Sequence, residues 1–133
     1  MKSDKNDMAQ VIPIQQEIMS RAEAMGRELE IFLGLPTEDK INQFMGYSGY
    51  EEILSLNEFE IEDVRRSSSE FWGPRWTLGT QNDKVETMHG EDRRVITWTM
   101  DDPDFIQFYL NEGDFDGMVT NYPTLVAYYF YSQ

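Results

Sequence analysis

The stretch VETMHGEDRRVITWTM, residues 85–100, decides how the chain reads. Val85 to Met88 forms one short segment, and His89-Gly90-Glu91-Asp92 forms a polar break. Arg93 to Met100 then carries Val95, Ile96, Thr97, Trp98 and Thr99, all residue types that favour strands. The pattern predicts a β-hairpin. Upstream, Glu58-Phe59-Glu60-Ile61-Glu62 alternates with a period of two, which predicts a half-buried strand with Phe59 and Ile61 inward. Ser67-Ser68-Ser69 reads as a loop and Trp76-Thr77-Leu78 as a short strand. Downstream, Asp101-Asp102-Pro103-Asp104 breaks the pattern before Phe105-Ile106-Gln107-Phe108-Tyr109-Leu110. That run reads as a strand, although Asp102 with Pro103 would equally cap a helix. A loop follows over residues 111–123. Leu125 to Tyr131 is apolar or aromatic at every position, which predicts an interior strand or one carrying an association surface.

The N-terminal half has a different period. Ile14, Ile18, Ala22, Met25, Leu29 and Phe32 fall on one helical face. Pro13 suits a first turn, and Gly34 and Pro36 mark a stop. A helix over residues 13–33 is expected, its Ile14/Ile18/Ala22/Met25/Leu29 face laid on the sheet. Thr37 is placed to cap a second helix through Met45 that buries Ile41, Phe44 and Met45. Ser48 and Glu51 have capping-box spacing for a third, reaching about Leu56. Residues 1–10 are polar and read as a mobile tail, leaving residues 11–133 as a single domain. Helices first and strands afterwards predict an α+β fold, with the N-terminal helices packed on an antiparallel β-meander of about four to six strands.

Composition bounds the function. The 133 residues include eight Phe, seven Tyr and three Trp, too aromatic for a disordered acidic chain. With no cysteine there is no thiolate nucleophile, no Cys-ligated zinc and no disulfide. No basic start leads into an apolar stretch, and no run approaches the ~20 apolar residues that span a bilayer. A cytoplasmic protein is expected. The net charge of −14 repels phosphate backbones and anionic lipid, so direct nucleic-acid or membrane binding is disfavoured. A basic protein surface would instead be attracted. Simple solubility is the other reading of the same charge.

Candidate chemistry is sparse. His89 is the sole histidine, in the expected hairpin turn. No second His or Cys can join it on zinc, and no Gly-x-Ser-x-Gly elbow occurs. Glu112, Asp114 and Asp116 resemble half a calcium loop. The twelfth position counted from Glu112 is Pro123, where such a loop needs Glu. Glu38-Asp39-Lys40 has an E-x-K form but lies at a helix start, where acids suit the dipole. No catalytic residue, metal site or cofactor is predicted.

The acids form blocks. Residues 95–133 hold no Lys or Arg, against Asp101, Asp102, Asp104, Glu112, Asp114 and Asp116; residues 41–64 repeat the pattern. Glu58, Glu60 and Glu62 would project from one strand face about 6.6 Å apart. They would either dock on a basic groove or pair with Arg65, Arg66, Arg93 or Arg94. Trp72 and Trp76 flank the turn Gly73-Pro74-Arg75. They would cap the core or serve as partner-binding anchors. The candidate partner surface is therefore Glu58, Glu60, Glu62, Asp101, Asp102, Asp104, Asp114, Asp116, Trp72 and Trp76. These features predict a non-catalytic acidic binding module. Its sharpest form is a nucleic-acid mimic, similar in type to small phage inhibitors, filling the basic groove of a nuclease, restriction or CRISPR effector. A small carboxylate-based enzyme or ligand-binding domain stands as the alternative. So does a structural homo-oligomer joined through the C-terminal strand.

Overall fold

The computed structural model describes residues 1–2 and 5–133. Ser3 and Asp4, part of the expected tail, lie outside the described residues. The chain forms two compact units, Met1–Phe71 and Trp72–Gln133.

In the first unit α1 (Met8–Ala24) precedes β1 (Leu33–Leu35). Then come α2 (Glu38–Met45), a 3₁₀ turn (Tyr50–Glu52), β2 (Ser55–Asn57) and α3 (Ile61–Arg66). β3 (Phe71–Trp72) falls at the unit boundary. β1 and β2 pair in parallel, Leu33 opposite Ser55 and Leu35 opposite Asn57. Parallel neighbours need a crossover, and α2 lies within it. Thr37 starts α2 as expected, its hydroxyl accepting from the Lys40 amide at 3.2 Å. Glu38 and Asp39 complement the dipole in the first turn. Ile41 and Phe44 face inward and join Met8, Val11, Ile12, Leu33, Leu35 and Ile53 in one core.

The first helix is shifted from the expected place and turned to another face. It begins at Met8, inside the stretch read as tail, and Met8 is buried. Ile14, Ile18, Met25 and Leu29 are exposed; Met8, Val11, Ile12, Gln15 and Ala22 are buried. Gln15 holds a core position because its amide donates to two carbonyls, Ile31 at 2.6 Å and Leu54 at 3.3 Å. The helix ends at Gly26, not near Gly34. Gly26 has φ of 70°, its N–H donates to the Glu23 carbonyl, and Arg27 N–H donates to Ala22. These are the paired bonds of a Schellman ending.

The second unit runs from a 3₁₀ turn (Trp76–Leu78) through α4 (Asn82–Gly90), β4 (Arg94–Thr97) and α5 (Pro103–Glu112). It closes with β5 (Gly117–Met118) and α6 (Pro123–Tyr131). β4 and β5 are also parallel, Ile96 opposite Gly117 and Thr97 opposite Met118. Arg75 and Trp98 add a further parallel bridge. Met100, Ile106 and Tyr109 form one core cluster, with Trp76, Phe115, Leu125 and Tyr129 packed against it.

Parallel pairing within each unit overturns the antiparallel meander. The deciding stretch is a helix followed by a strand. His89 to Asp92 is the end of α4: Asp92 adopts φ of 58°, Asp92 N–H donates to His89 and Arg93 N–H donates to Met88. Ser68 ends α3 the same way, with bonds from Ser68 to Arg65 and from Ser69 to Val64. The alternating glutamates form no strand either, for Glu58 follows β2, Glu60 occupies the N-cap position of α3 and Glu62 sits in its first turn. Trp76–Leu78 is a 3₁₀ turn and the 48–56 helix only a 3₁₀ turn. Residues 105–110 belong to α5, where Asp102 accepts from the amides of Asp104 and Phe105 and Pro103 opens the helix. The C-terminal aromatic run is α6, so it offers no strand edge for oligomerisation. No helix among the described residues is long and apolar enough to cross a membrane.

Candidate functional site

Parallel strands put all their following loops at one edge. In folds built from parallel strands and helices, sites collect at that C-terminal edge, where loops vary freely over a rigid base. In the second unit the edge is made by the segment after β4, the turn after β5, and Arg75 on its bridge to Trp98. Short bonds join these pieces. Met100 N–H donates to the Val119 carbonyl at 2.9 Å. The Trp98 indole N–H donates to the Gly73 carbonyl at 2.7 Å, and the Thr97 hydroxyl to Pro74 at 3.0 Å. The Trp76 indole N–H donates to Thr99 at 2.8 Å, and the Tyr109 hydroxyl donates to the Trp76 carbonyl at 2.5 Å. Both indoles are thereby fixed. The Trp98–Thr99 peptide between them is cis.

Arg75 stands exposed on this base, its guanidinium carbon 5.2 Å from the Trp98 ring centroid. It makes no ion pair among the described residues. Arg21, Arg65, Arg66 and Arg93 each pair with a carboxylate of their own neighbourhood. Stacking on an indole orients a guanidinium while leaving its N–H fork open. Such a fork matches the oxygens of a phosphate or carboxylate.

Asp101 lies at the same edge. Its carboxylate accepts from Asn121 N–H at 2.8 Å, from the Asn121 amide at 2.7 Å and from the Thr120 hydroxyl at 3.1 Å. Those donors, the Asn121 backbone first, hold its pKa below the ordinary carboxylate value. In the first unit Glu58, just after β2, accepts from Lys2 Nζ at 2.9 Å.

The expected acidic surface is thus mostly spent on the chain's own bonds. Glu58 is held by Lys2, and Glu62 pairs with Arg65 inside α3. The alternative reading had these glutamates meeting arginines of a neighbouring strand; Glu62 instead meets Arg65 within one helix and Glu58 meets a lysine. Asp102 is a helix cap, and Asp104 is exposed in the same first turn. Asp116 accepts from Val95 N–H at 2.6 Å and faces His89 at 2.8 Å. Glu60 is exposed at the start of α3, and Asp104 and Asp114 are exposed on other segments, so the three share no element. Trp72 is 1% exposed and cannot anchor a partner. Trp76 is half-buried in the core. His89 and Asp116 look like a dyad, but both precede strands, at the edge opposite Arg75, where residues serve stability. Among the described residues no three or more His, Cys, Asp or Glu are placed to hold a metal ion. Sequence reading missed Trp98, Thr120 and Asn121. The available signal was an aromatic residue ending the β-branched run Val95-Ile96-Thr97, which becomes meaningful only once the strand's direction is known.

Neither a family model nor a curated protein matches the sequence. Solved structures do match. A glycerophosphodiester phosphodiesterase from Parabacteroides distasonis ATCC 8503 superposes with a TM-score of 0.69 at 17% identity, over 98% of this chain and 55% of that one. A protein of Silicibacter pomeroyi DSS-3, described as a glycerophosphoryl diester phosphodiesterase, gives 0.56 at 13% identity, over 94% and 56%. The chain therefore spans about half the length of each. At these identities the likeness concerns the fold, which is TIM-barrel-like and parallel. It overturns the expected inhibitor or nucleic-acid mimic, because the folds this chain resembles are those of proteins described as enzymes.

Proposed function

We propose that this chain supplies the phosphodiester-binding edge of a phosphodiesterase-like protein. The observation that carries the reading is Arg75, an exposed guanidinium stacked on Trp98 at the C-terminal ends of parallel strands, with no carboxylate partner among the described residues. In an otherwise acidic chain, that cation is set where ligands bind in such folds. Its fork would donate two N–H bonds to the non-bridging oxygens of a phosphodiester. Trp98 beneath it limits hydration and fixes the angle of approach. During P–O cleavage the phosphoryl oxygens carry redistributed negative charge. A guanidinium already in place stabilises that charge without reorganising. The likeness to glycerophosphodiester phosphodiesterases points to a glycerol-linked phosphodiester as substrate class. A cytoplasmic location goes with this proposal, since a cysteine-free chain suits a reducing compartment.

The test is calorimetric or NMR titration with a glycerophosphodiester, with glycerol and inorganic phosphate as controls. Arg75→Ala should weaken diester binding by about tenfold or more, since a hydrogen bond to a charged group is worth roughly 1.5–3 kcal/mol. The urea midpoint should not move, because the side chain is exposed. Arg75→Lys should retain part of the affinity, a point charge without the fork. Absence of saturable diester binding by the wild-type chain would overturn the reading. So would an Arg75→Ala variant that binds normally.

A further inference from the structure

We propose that Asp101 is the positioning residue of the Arg75–Trp98 edge, a carboxylate clamp joining the segment after β4 to the turn after β5. The clamp rests on geometry; its effect on ligand rests on the phosphodiester reading above. β5 is only two residues long, and two residue pairs join it to β4. Beyond it Val119 N–H donates to the Thr97 carbonyl and the Val119 carbonyl accepts from Met100, but among the described residues no backbone bond ties residues 120 and 121 to the segment after β4. Asp101 supplies what the ladder lacks. Its three accepted bonds all come from residues 120 and 121, one from backbone and two from side chains. A carboxylate present only for solubility would not accept three bonds from a single turn.

The clamp leads directly to the site. Asp101 lies three residues after Trp98, and the intervening Thr99 carbonyl receives the Trp76 indole N–H. The Trp98 indole in turn holds Gly73, two residues before Arg75. Turn 120–121, segment 98–101, Trp76 and Arg75 therefore form one run of bonded groups. Asp101 makes no contact with Arg75 among the bonds described, so its role is to fix the 98–101 segment, which carries Trp98 beneath the guanidinium and receives the Trp76 indole N–H at Thr99. The adjoining acids have other tasks: Asp102 caps α5 and Asp104 occupies its first turn.

The experiment combines hydrogen exchange with titration. Asp101→Ala should speed exchange of the Trp76 indole N–H by about tenfold or more, the scale of a lost charged hydrogen bond. Backbone amides of β4 should change by less than about twofold, which separates local opening from global unfolding. Affinity for a glycerophosphodiester should fall with the loss of indole protection. The double exchange Asp101→Asn/Asn121→Asp keeps one carboxylate and one amide across the same gap. It should restore both readouts to within about threefold, a result that simple surface-charge effects would not give. Unchanged indole exchange in Asp101→Ala overturns the clamp. Faster exchange with unchanged diester affinity overturns its positioning role. A wild-type chain that binds no diester refutes the phosphodiester reading, while the indole exchange still decides the clamp.

Discussion

Ile12 and Ile14 stand two residues apart on α1, and their replacement by alanine should have unequal cost. Ile12 is 0% exposed, within the core of Met8, Leu33, Leu35 and Phe44. Removing three carbons there forfeits roughly 0.8 kcal/mol each in transfer energy, about 2.4 kcal/mol. The unfilled space adds to that, so the expected loss is about 3–4 kcal/mol, inside the range for such truncations. Ile14 is 54% exposed. About half its transfer term is already absent and no cavity forms. Alanine's better helix propensity recovers a few tenths of a kcal/mol, so the net should stay within about 1 kcal/mol. Urea denaturation of the purified chain reads both. With a slope of about 1–3 kcal/mol per M, Ile12→Ala should lower the midpoint by on the order of 1–4 M. Ile14→Ala should shift it by a fraction of that. Equal losses would refute the burial assignment and return the helix to its Ile14/Ile18/Leu29 face.

Asn57→Ala should cost about 2–4 kcal/mol by the same assay, because Asn57 is fully buried and holds the turn from β2 into α3. Its amide donates to the Asp63 carbonyl and the Ser67 hydroxyl, and its carbonyl oxygen accepts from Phe59 N–H. A loss below about 0.5 kcal/mol would show that water replaces the network. The Asp101 clamp should depend on pH with a defined sign. Its folded pKa lies below the ordinary value of 3.8, so the clamp's contribution is complete above that pH and is lost as pH falls through the lower folded value. Trp76 indole exchange, corrected for intrinsic rate, should be flat from about pH 7 to 5 and rise only below 3.8. Opening between pH 7 and 5 would contradict the bonding described.

Much of the misreading comes from how briefly each element lasts. Strands of two to four residues show no period, so the alternation of residues 58–62 passed for one; it is a strand exit followed by a helix start. Three helices end on a residue at positive φ, and only Gly26 belongs to the type expected there. Ser68 and Asp92 do the same task without announcing it. Gln15 hid the true face of α1, since a polar residue in the core becomes legible only when its two carbonyl partners are known. Where local chemistry alone decides, the sequence was readable: Thr37 starts α2, and Asp102 with Pro103 starts α5.

The site was illegible for a different reason. Charge blocks suggested an outward-facing acidic surface, yet position relative to strand direction assigns the acids their roles. Asp116 and His89 precede β5 and β4 and fasten the edge where chains enter the sheet. Asp101 and Asn121 follow the same strands and fasten the other edge. A sequence carries no arrow for the sheet until pairing is known to be parallel. An antiparallel meander would scatter strand ends over both edges and make the dyad and the clamp equivalent. With parallel pairing they differ in kind, and Arg75, unremarkable in a turn between two tryptophans, becomes the cation on the edge where ligands bind. That assignment depends on β4 and β5 running together, which makes their register, Ile96 with Gly117 and Thr97 with Met118, the structural fact on which the functional reading turns.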